Sequence, residues 1–428
     1  MPMPDSKSPS RNPWAWIPTL YLAEGLPYVT VMTVAVIMYK GLGISNTDIA
    51  LYTSWLYLPW VIKPLWSPVV DILRTRRWWI WSMQLVVGAG LAGVALTVPA
   101  TNFFQYTLAF FWLLAFSSAT HDIAADGFYM LANTEREQAF FSGIRNTFYR
   151  VATITGQGLL VILAGNIEKR TGNTVFAWSL ALAALAGMFA CLAVYHCFIL
   201  PRPGSDKPGS ISTLTHFWEE FFATFGSFFA KPKIALLLLF LLLYRFAEAQ
   251  LVKMVAPFLL DGREAGGLGL TTEQVGLVYG TVGVIALVCG GLFGGFVVSR
   301  NGLKFWLWPM VLAIHLPDAV FIYLSYAQPE SATVISACLA IEQFGYGFGF
   351  AAYMLYMIYI ARGEHRTAHY AICTGFMALG MMLPGMWSGW LQDTIGYRYF
   401  FVWVMLATIP SFIVVKMIPL EAEFGRKA

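Results

Sequence analysis

Twelve long apolar stretches restrict this chain to one kind of fold. They run roughly over residues 14–39, 48–70, 78–98, 105–131, 139–165, 175–199, 233–259, 273–299, 304–325, 332–360, 368–391 and 398–417. A helix that spans a bilayer needs about 20 mostly apolar residues, since each residue adds ~1.5 Å. A membrane β-barrel instead carries ~10-residue segments of alternating polarity. Composition agrees with helices: 58% of the 428 residues are hydrophobic, 12% are charged, and the mean hydropathy is +0.64. The expectation is an all-α, multi-pass membrane protein with 12 transmembrane helices, surrounded by lipid.

Orientation follows from where Lys and Arg fall in the short loops. Lys7, Arg11, Arg74, Arg76, Arg77, Arg136, Arg202, Lys207, Lys231, Lys233, Arg300, Lys304, Arg362, Arg366, Lys416, Arg426 and Lys427 gather on one side, against Lys40, Lys169, Arg170, Arg263 and Arg398 on the other. This bias predicts that both termini are cytoplasmic, as an even number of spans requires. The formal charge of +4 is then the orientation signal itself and needs no nucleic-acid partner. The first apolar stretch is too long for a signal-peptide core and holds Glu24, so it reads as a retained helix. The five cysteines lie in apolar spans without metal-ligand or redox spacing, so no disulfide, metal or other cofactor is expected.

The spans divide into two six-helix halves, residues 1–199 and 232–428, separated by a linker over 200–231. The linker opens as PRPGSDKPGS. It continues with Leu214, Phe217, Phe221, Phe225 and Phe228 at helical spacing around Glu219 and Glu220, the pattern of an amphipathic helix on the inner leaflet. The halves echo one another. Ala23-Glu24 recurs as Ala247-Glu248, Thr47-Asp48 as Thr272-Glu273, and Tyr129-Met130 as Tyr356-Met357, in the same order and at nearly constant offset. Such pseudo-repeats mark transporters, whose sites lie at the repeat interface near the membrane midplane.

Charges inside the spans are the candidate site. A charge near the bilayer centre costs ~2.5–3.5 kcal/mol on insertion scales and is by default functional. The fourth span carries His121, Asp122 and Asp126, and the fifth carries Arg145 and Arg150. At ~1.5 Å per residue, Asp126 and Arg145 come level with one another, as do Asp122 and Arg150. Asp122 and Asp126, four apart, share a helix face, while the two arginines point well apart. One arginine is thus expected on the carboxylates and the other in the central cavity. Lys63, Arg245 and Lys253 are the remaining intramembrane basic residues. Glu24 lies between Tyr21 and Tyr28 and precedes Gly25-Leu26-Pro27, where proline interrupts the helix. In the seventh span Arg245 and Glu248 are spaced to interact along one face, with Gln250 and Lys253 beyond. Weaker candidates are Glu342 and Gln343 in the tenth span, Asn146 and Gln157 in the fifth, and a His315–Asp318 pair in the ninth.

Other classes fit less well. His121 and Asp126 form an HxxxxD string of the kind found in membrane acyltransferases, but it sits on an apolar span with no second motif of that chemistry. A channel needs neither paired halves nor buried titratable pairs, and a receptor without transport is equally disfavoured.

Residues 118–131, SATHDIAADGFYML, and 134–159, TEREQAFFSGIRNTFYRVATITGQGL, resemble the fourth and fifth helices of one branch of the major facilitators. That branch holds the bacterial anhydromuropeptide permeases and the acetyl-CoA transporters. Glu24-Gly25-Leu26-Pro27 is similar to its first-helix turn, and Asp71 with Arg74, Arg76 and Arg77 resembles the charged inner loop of major facilitators generally. His121 stands where the branch tends to have glutamine. The resemblance implies the major facilitator fold in a bacterial inner (cytoplasmic) membrane and import of cell-wall turnover products with protons. The reading is a secondary active symporter, not an enzyme, expected to work as a monomer by alternating access on an amino-sugar peptide. Acetyl-CoA, a siderophore or another polar anionic solute is the alternative cargo, and a membrane acyltransferase a remote one. Asp122, Asp126, Glu24 and Glu248 are the expected proton-coupling groups. Arg145, Arg150, Arg245, Tyr21, Tyr28, His121, Asn146, Gln157, Glu342 and Gln343 are the expected substrate contacts.

Overall fold

Prolines break the second apolar stretch into short pieces, whereas Pro27, Pro257, Pro309 and Pro384 lie inside continuous helices. In the computed structural model, which describes residues 11–208, 219, 222–363, 365–421 and 424–425, ten helical runs are long and apolar enough to cross a membrane. Nine match the first and the third to tenth expected spans one for one: Pro13–Gly41, Arg76–Thr97, Phe103–Ala132, Arg136–Thr171, Thr174–Ile199, Ile234–Leu260, Thr272–Asn301, Leu303–Ala327 and Ala332–Ile360. The second expected span is divided into Asn46–Trp55, Leu58–Ile62, Lys63–Leu65 and Ser67–Leu73. Pro59, Pro64 and Pro68 each stand in the first two positions of the last three pieces, where a missing N–H does least harm. The eleventh and twelfth expected spans belong to one run, Ala368–Met417, broken at Gly396, whose φ of 74° only glycine adopts without strain. No strand occurs among the described residues.

Local chemistry sets several helix ends. Thr134 and Glu137 form a capping box ahead of the fifth span, satisfying two orphan backbone donors at once. Asn173 caps the sixth by accepting from Phe176 N–H. Short π-helical turns interrupt three spans, at Thr30–Val34, Ile154–Leu160 and Val278–Gly283. The first of these follows Pro27, which cannot donate within the helix.

Within the N-terminal half the first span packs against the fourth and fifth, and the third against the fourth and sixth; in the C-terminal half the eighth and ninth both pack on the tenth. The halves meet along two seams, between the second and eleventh segments and between the fifth and eighth spans. In the latter the glycines let backbones touch, for a Cβ on Gly280 would collide with the Gln157 carbonyl. Polar links between the halves gather at the end that holds the 40–46 and 261–272 loops. Lys40 Nζ lies 2.7 Å from Asp261 Oδ1, Asn46 donates to Gln392 and Tyr397, Thr47 donates to Asp393, and Thr272 donates to Glu168.

At the opposite end the basic loop is tied inside its own half. Asp206 accepts from the Arg76 and Arg77 backbone N–H groups, and the Arg77 guanidinium donates to the Cys197 and Leu200 carbonyls. Leu214, Phe217, Glu220 and Phe221 of the linker lie outside the described residues. Its described end, 222–229, is helical and buries Phe228 against the C-terminal half beside His369.

Candidate functional site

Among the described residues two groups of carboxylates come together, one in each half. In the N-terminal half oxygens of Glu24, Asp122 and Asp126 all lie within 4.8 Å of one another. The fourth helix carries both aspartates one turn apart, and the first helix brings Glu24 to the same level. Two of them are paired with cations. Arg145 Nη2 lies 2.5 Å from Asp126 Oδ1, and Tyr21 donates to the same oxygen at 3.3 Å. The guanidinium sits between two aromatic faces, 4.4 Å from the Tyr21 ring centre and 4.6 Å from that of Tyr129, where cation–π attraction adds to the ion pair. Asp122 pairs with Lys63.

That last pair corrects the sequence expectation of an arginine on both aspartates. Lys63 stands in the second segment, at the turn between two proline-started pieces, so no register argument along a regular helix could have matched its level to Asp122. The signal was its presence in an apolar stretch. Arg150 makes no hydrogen bond or ion pair with any described residue, in keeping with the expectation that the two arginines diverge. Tyr28 packs its ring edge-on against Trp60, 5.1 Å between centres.

His121 does not join the carboxylates. It is buried and takes a hydrogen bond from Gln84 Nε2 at 2.9 Å, while Gln84 Oε1 accepts from His196 Nδ1 at 2.8 Å and His196 Nε2 meets Thr19 at 2.9 Å. This chain of polar side chains links the first, third, fourth and sixth helices, with His121 buried at its end. Gln157 is likewise taken up by the seam between halves, its amide facing the Tyr279 carbonyl at 3.5 Å. Asn146 is exposed and stands apart from the cluster's hydrogen bonds.

In the C-terminal half Arg245 and Glu248 do not pair, contrary to their helical spacing. Arg245 has φ −110° and ψ 21° and sits before the helix that starts at Phe246, so the i to i+3 geometry is lost. Its guanidinium donates to the Tyr346 hydroxyl and lies 4.8 Å from the Phe350 ring centre. Lys253 reaches across to Thr53 Oγ1 at 2.9 Å, and Gln250 accepts from Trp403. Gln343 donates to Glu342 Oε2 at 2.9 Å. The expected His315–Asp318 pair does not form either. His315 bonds Ser411, and Asp318, turned inward by the 3-10 turn Leu316–Asp318, joins Glu248 and Glu342 in a second carboxylate group within 4.8 Å. Asp318 is thus an interior residue that sequence spacing assigned to the wrong partner.

Comparison with known proteins agrees with this architecture. The family profile of the Major Facilitator Superfamily matches residues 19–383. The "Putative transporter AmpG 4" of Rickettsia conorii is 25% identical over 406 residues, 92% of this chain and 93% of that protein. The "Anhydromuropeptide permease" of Escherichia coli K12 is 24% identical over 419 residues, 95% of this chain and 80% of that one. Among solved structures, a bacterial homologue of the human lysosomal transporter Spinster, inward-facing and unoccupied, superposes with a TM-score of 0.68 at 17% identity over 96% of this chain and 98% of that one. The nucleoside transporter NupG gives 0.68 at 17% identity over 95% and 98%.

Proposed function

Since the chain belongs to the Major Facilitator Superfamily of transporters, we propose that it is a proton-coupled importer of anhydromuropeptides in a bacterial inner membrane. Its similarity to proteins named anhydromuropeptide permease and AmpG transporter supports the cargo. One observation carries the coupling. Three carboxylates, Glu24, Asp122 and Asp126, face two paired cations, Lys63 and Arg145, so the group is one positive charge short of balance, and one proton supplies it. Asp126 is the more open of the two paired aspartates, its side chain 44% exposed against 18% for Asp122, and so is the better placed to meet a proton from the cleft.

A proton on Asp126 weakens its hold on Arg145, and the freed guanidinium, with the unpaired Arg150, can take a substrate carboxylate through paired N–H donors. Substrate release and proton loss restore the ion pair. The polar links at the 40–46 end close one side of the midplane site in this conformation. With both termini cytoplasmic, the cleft then opens inward, and rocking of the halves about the two seams exchanges access. The test is uptake of labelled N-acetylglucosaminyl-anhydro-N-acetylmuramyl peptide into proteoliposomes under an imposed inward proton gradient. Accumulation that collapses with a protonophore is the expected result. No uptake into vesicles holding folded protein sinks the cargo assignment and directs the assay to acetyl-CoA and siderophores.

A further inference from the structure

The two carboxylate groups differ in one respect. In the N-terminal half Lys63 and Arg145 stand on the acids, whereas among the described residues no ion pair reaches the group in the C-terminal half. Glu248, Asp318 and Glu342 are 0%, 1% and 1% exposed. All four oxygens of Glu248 and Asp318 are buried without a hydrogen-bond partner. The cations within reach by sequence are engaged elsewhere, Arg245 on Tyr346 and Phe350 and Lys253 on Thr53 and Tyr57. His315 is turned to Ser411. Desolvated carboxylates close together without a counter-ion are among the costliest arrangements a protein interior can hold. Yet three separate helices aim theirs at one point, with the ninth broken at Leu316–Asp318 to do so.

We propose that Glu248, Asp318 and Glu342 form a binding site for a hard metal cation of the size of Na⁺ or Ca²⁺ inside the C-terminal half. Carboxylate oxygens are the donors such ions prefer, at ~2.3–2.6 Å for Ca²⁺. Oxygens that share one ion at that distance lie no more than about 5 Å apart, and one oxygen from each of the three residues lies within 4.8 Å of the others. Gln343 fixes Glu342 by donating to one of its oxygens, leaving the other for the ion, as an outer partner orients a ligand. Glu248, expected from sequence to carry protons, becomes a metal ligand, and Asp318 gains a role. The site is distinct from the proton-coupling group and stands whatever solute the carrier moves.

The experiment is calorimetric titration of the purified full-length protein with NaCl, and separately with CaCl₂, at constant ionic strength held with choline chloride, alongside thermal unfolding in the same buffers. Saturable binding of either ion with a rise in unfolding temperature is expected. Glu342→Gln and Asp318→Asn should each weaken binding at least tenfold while unfolding no earlier than wild type in choline alone, since each removes an uncompensated buried acid. Asp126→Asn should bind as wild type. The proposal is overturned if neither ion binds, if binding survives in both C-half variants, or if it is lost in Asp126→Asn.

Discussion

At the residue scale, the N-terminal cluster depends on who stands opposite each acid. Asp126→Asn removes the group proposed to take the proton while keeping its shape and its place beside Tyr21. Uphill uptake in proteoliposomes should disappear, while exchange of substrate across the membrane without a gradient should persist. A loss of folded protein in a detergent sedimentation assay would instead assign the pair to structure. Lys63→Met leaves Asp122 without its cation. Breaking a fully buried pair costs ~3–5 kcal/mol, but these side chains are 25% and 18% exposed, so a smaller destabilisation is expected. The double variant Lys63→Met/Asp122→Leu should recover most of it, since a balanced apolar replacement leaves no charge stranded. Thermal unfolding of the three proteins checks this, and a double variant no more stable than the single one would count against the pairing. Residue types alone exposed the acids; the Lys63 pair and the separation of His121 into the Gln84–His196 chain depended on rotations that spacing does not encode.

At the scale of elements, breaks matter as much as helices. The prolines of the second segment give up a straight helix and in return set Lys63 at the turn where it meets Asp122. The break at Leu316–Asp318 does the same for Asp318 in the ninth. Both breaks lie at membrane depth, where irregular backbone is tolerated only if it faces protein or a wet cavity. The seam between the fifth and eighth spans is an element of another kind, in which two π-turns face each other, Ile154–Leu160 and Val278–Gly283. Gly280→Ala would press a methyl group into the Gln157 carbonyl, and overpacking of this sort costs ~1–3 kcal/mol. In the rocking motion proposed above these backbones separate, so the substitution should shift the population toward the opposite conformation. Spin-label distances between the fifth and eighth spans at the 40–46 end should lengthen; unchanged distances would remove the seam from the closing contacts.

At the scale of the molecule, the halves are held at one end by contacts that any change of access has to break. The Lys40–Asp261 pair, the Asn46 bonds to Gln392 and Tyr397, and Thr272 on Glu168 are all contacts between polar or charged side chains, with Asn46, Gln392, Tyr397 and Thr272 buried. Cysteines introduced as Lys40→Cys and Asp261→Cys and joined by a short bismaleimide should therefore stop uptake while leaving substrate binding intact, with each single variant labelled in the same way as control. Continued transport by the cross-linked protein would mean that this end does not open. The all-helical class of fold and the acids in the spans were determined by the sequence alone, because lipid favours long apolar helices and makes each internal charge conspicuous. Which acid meets which cation, which stretches break, and that Glu248, Asp318 and Glu342 converge was decided only by tertiary structure. Those outcomes depend on helix rotation, proline-made turns and contacts between different helices, and no local periodicity carries them.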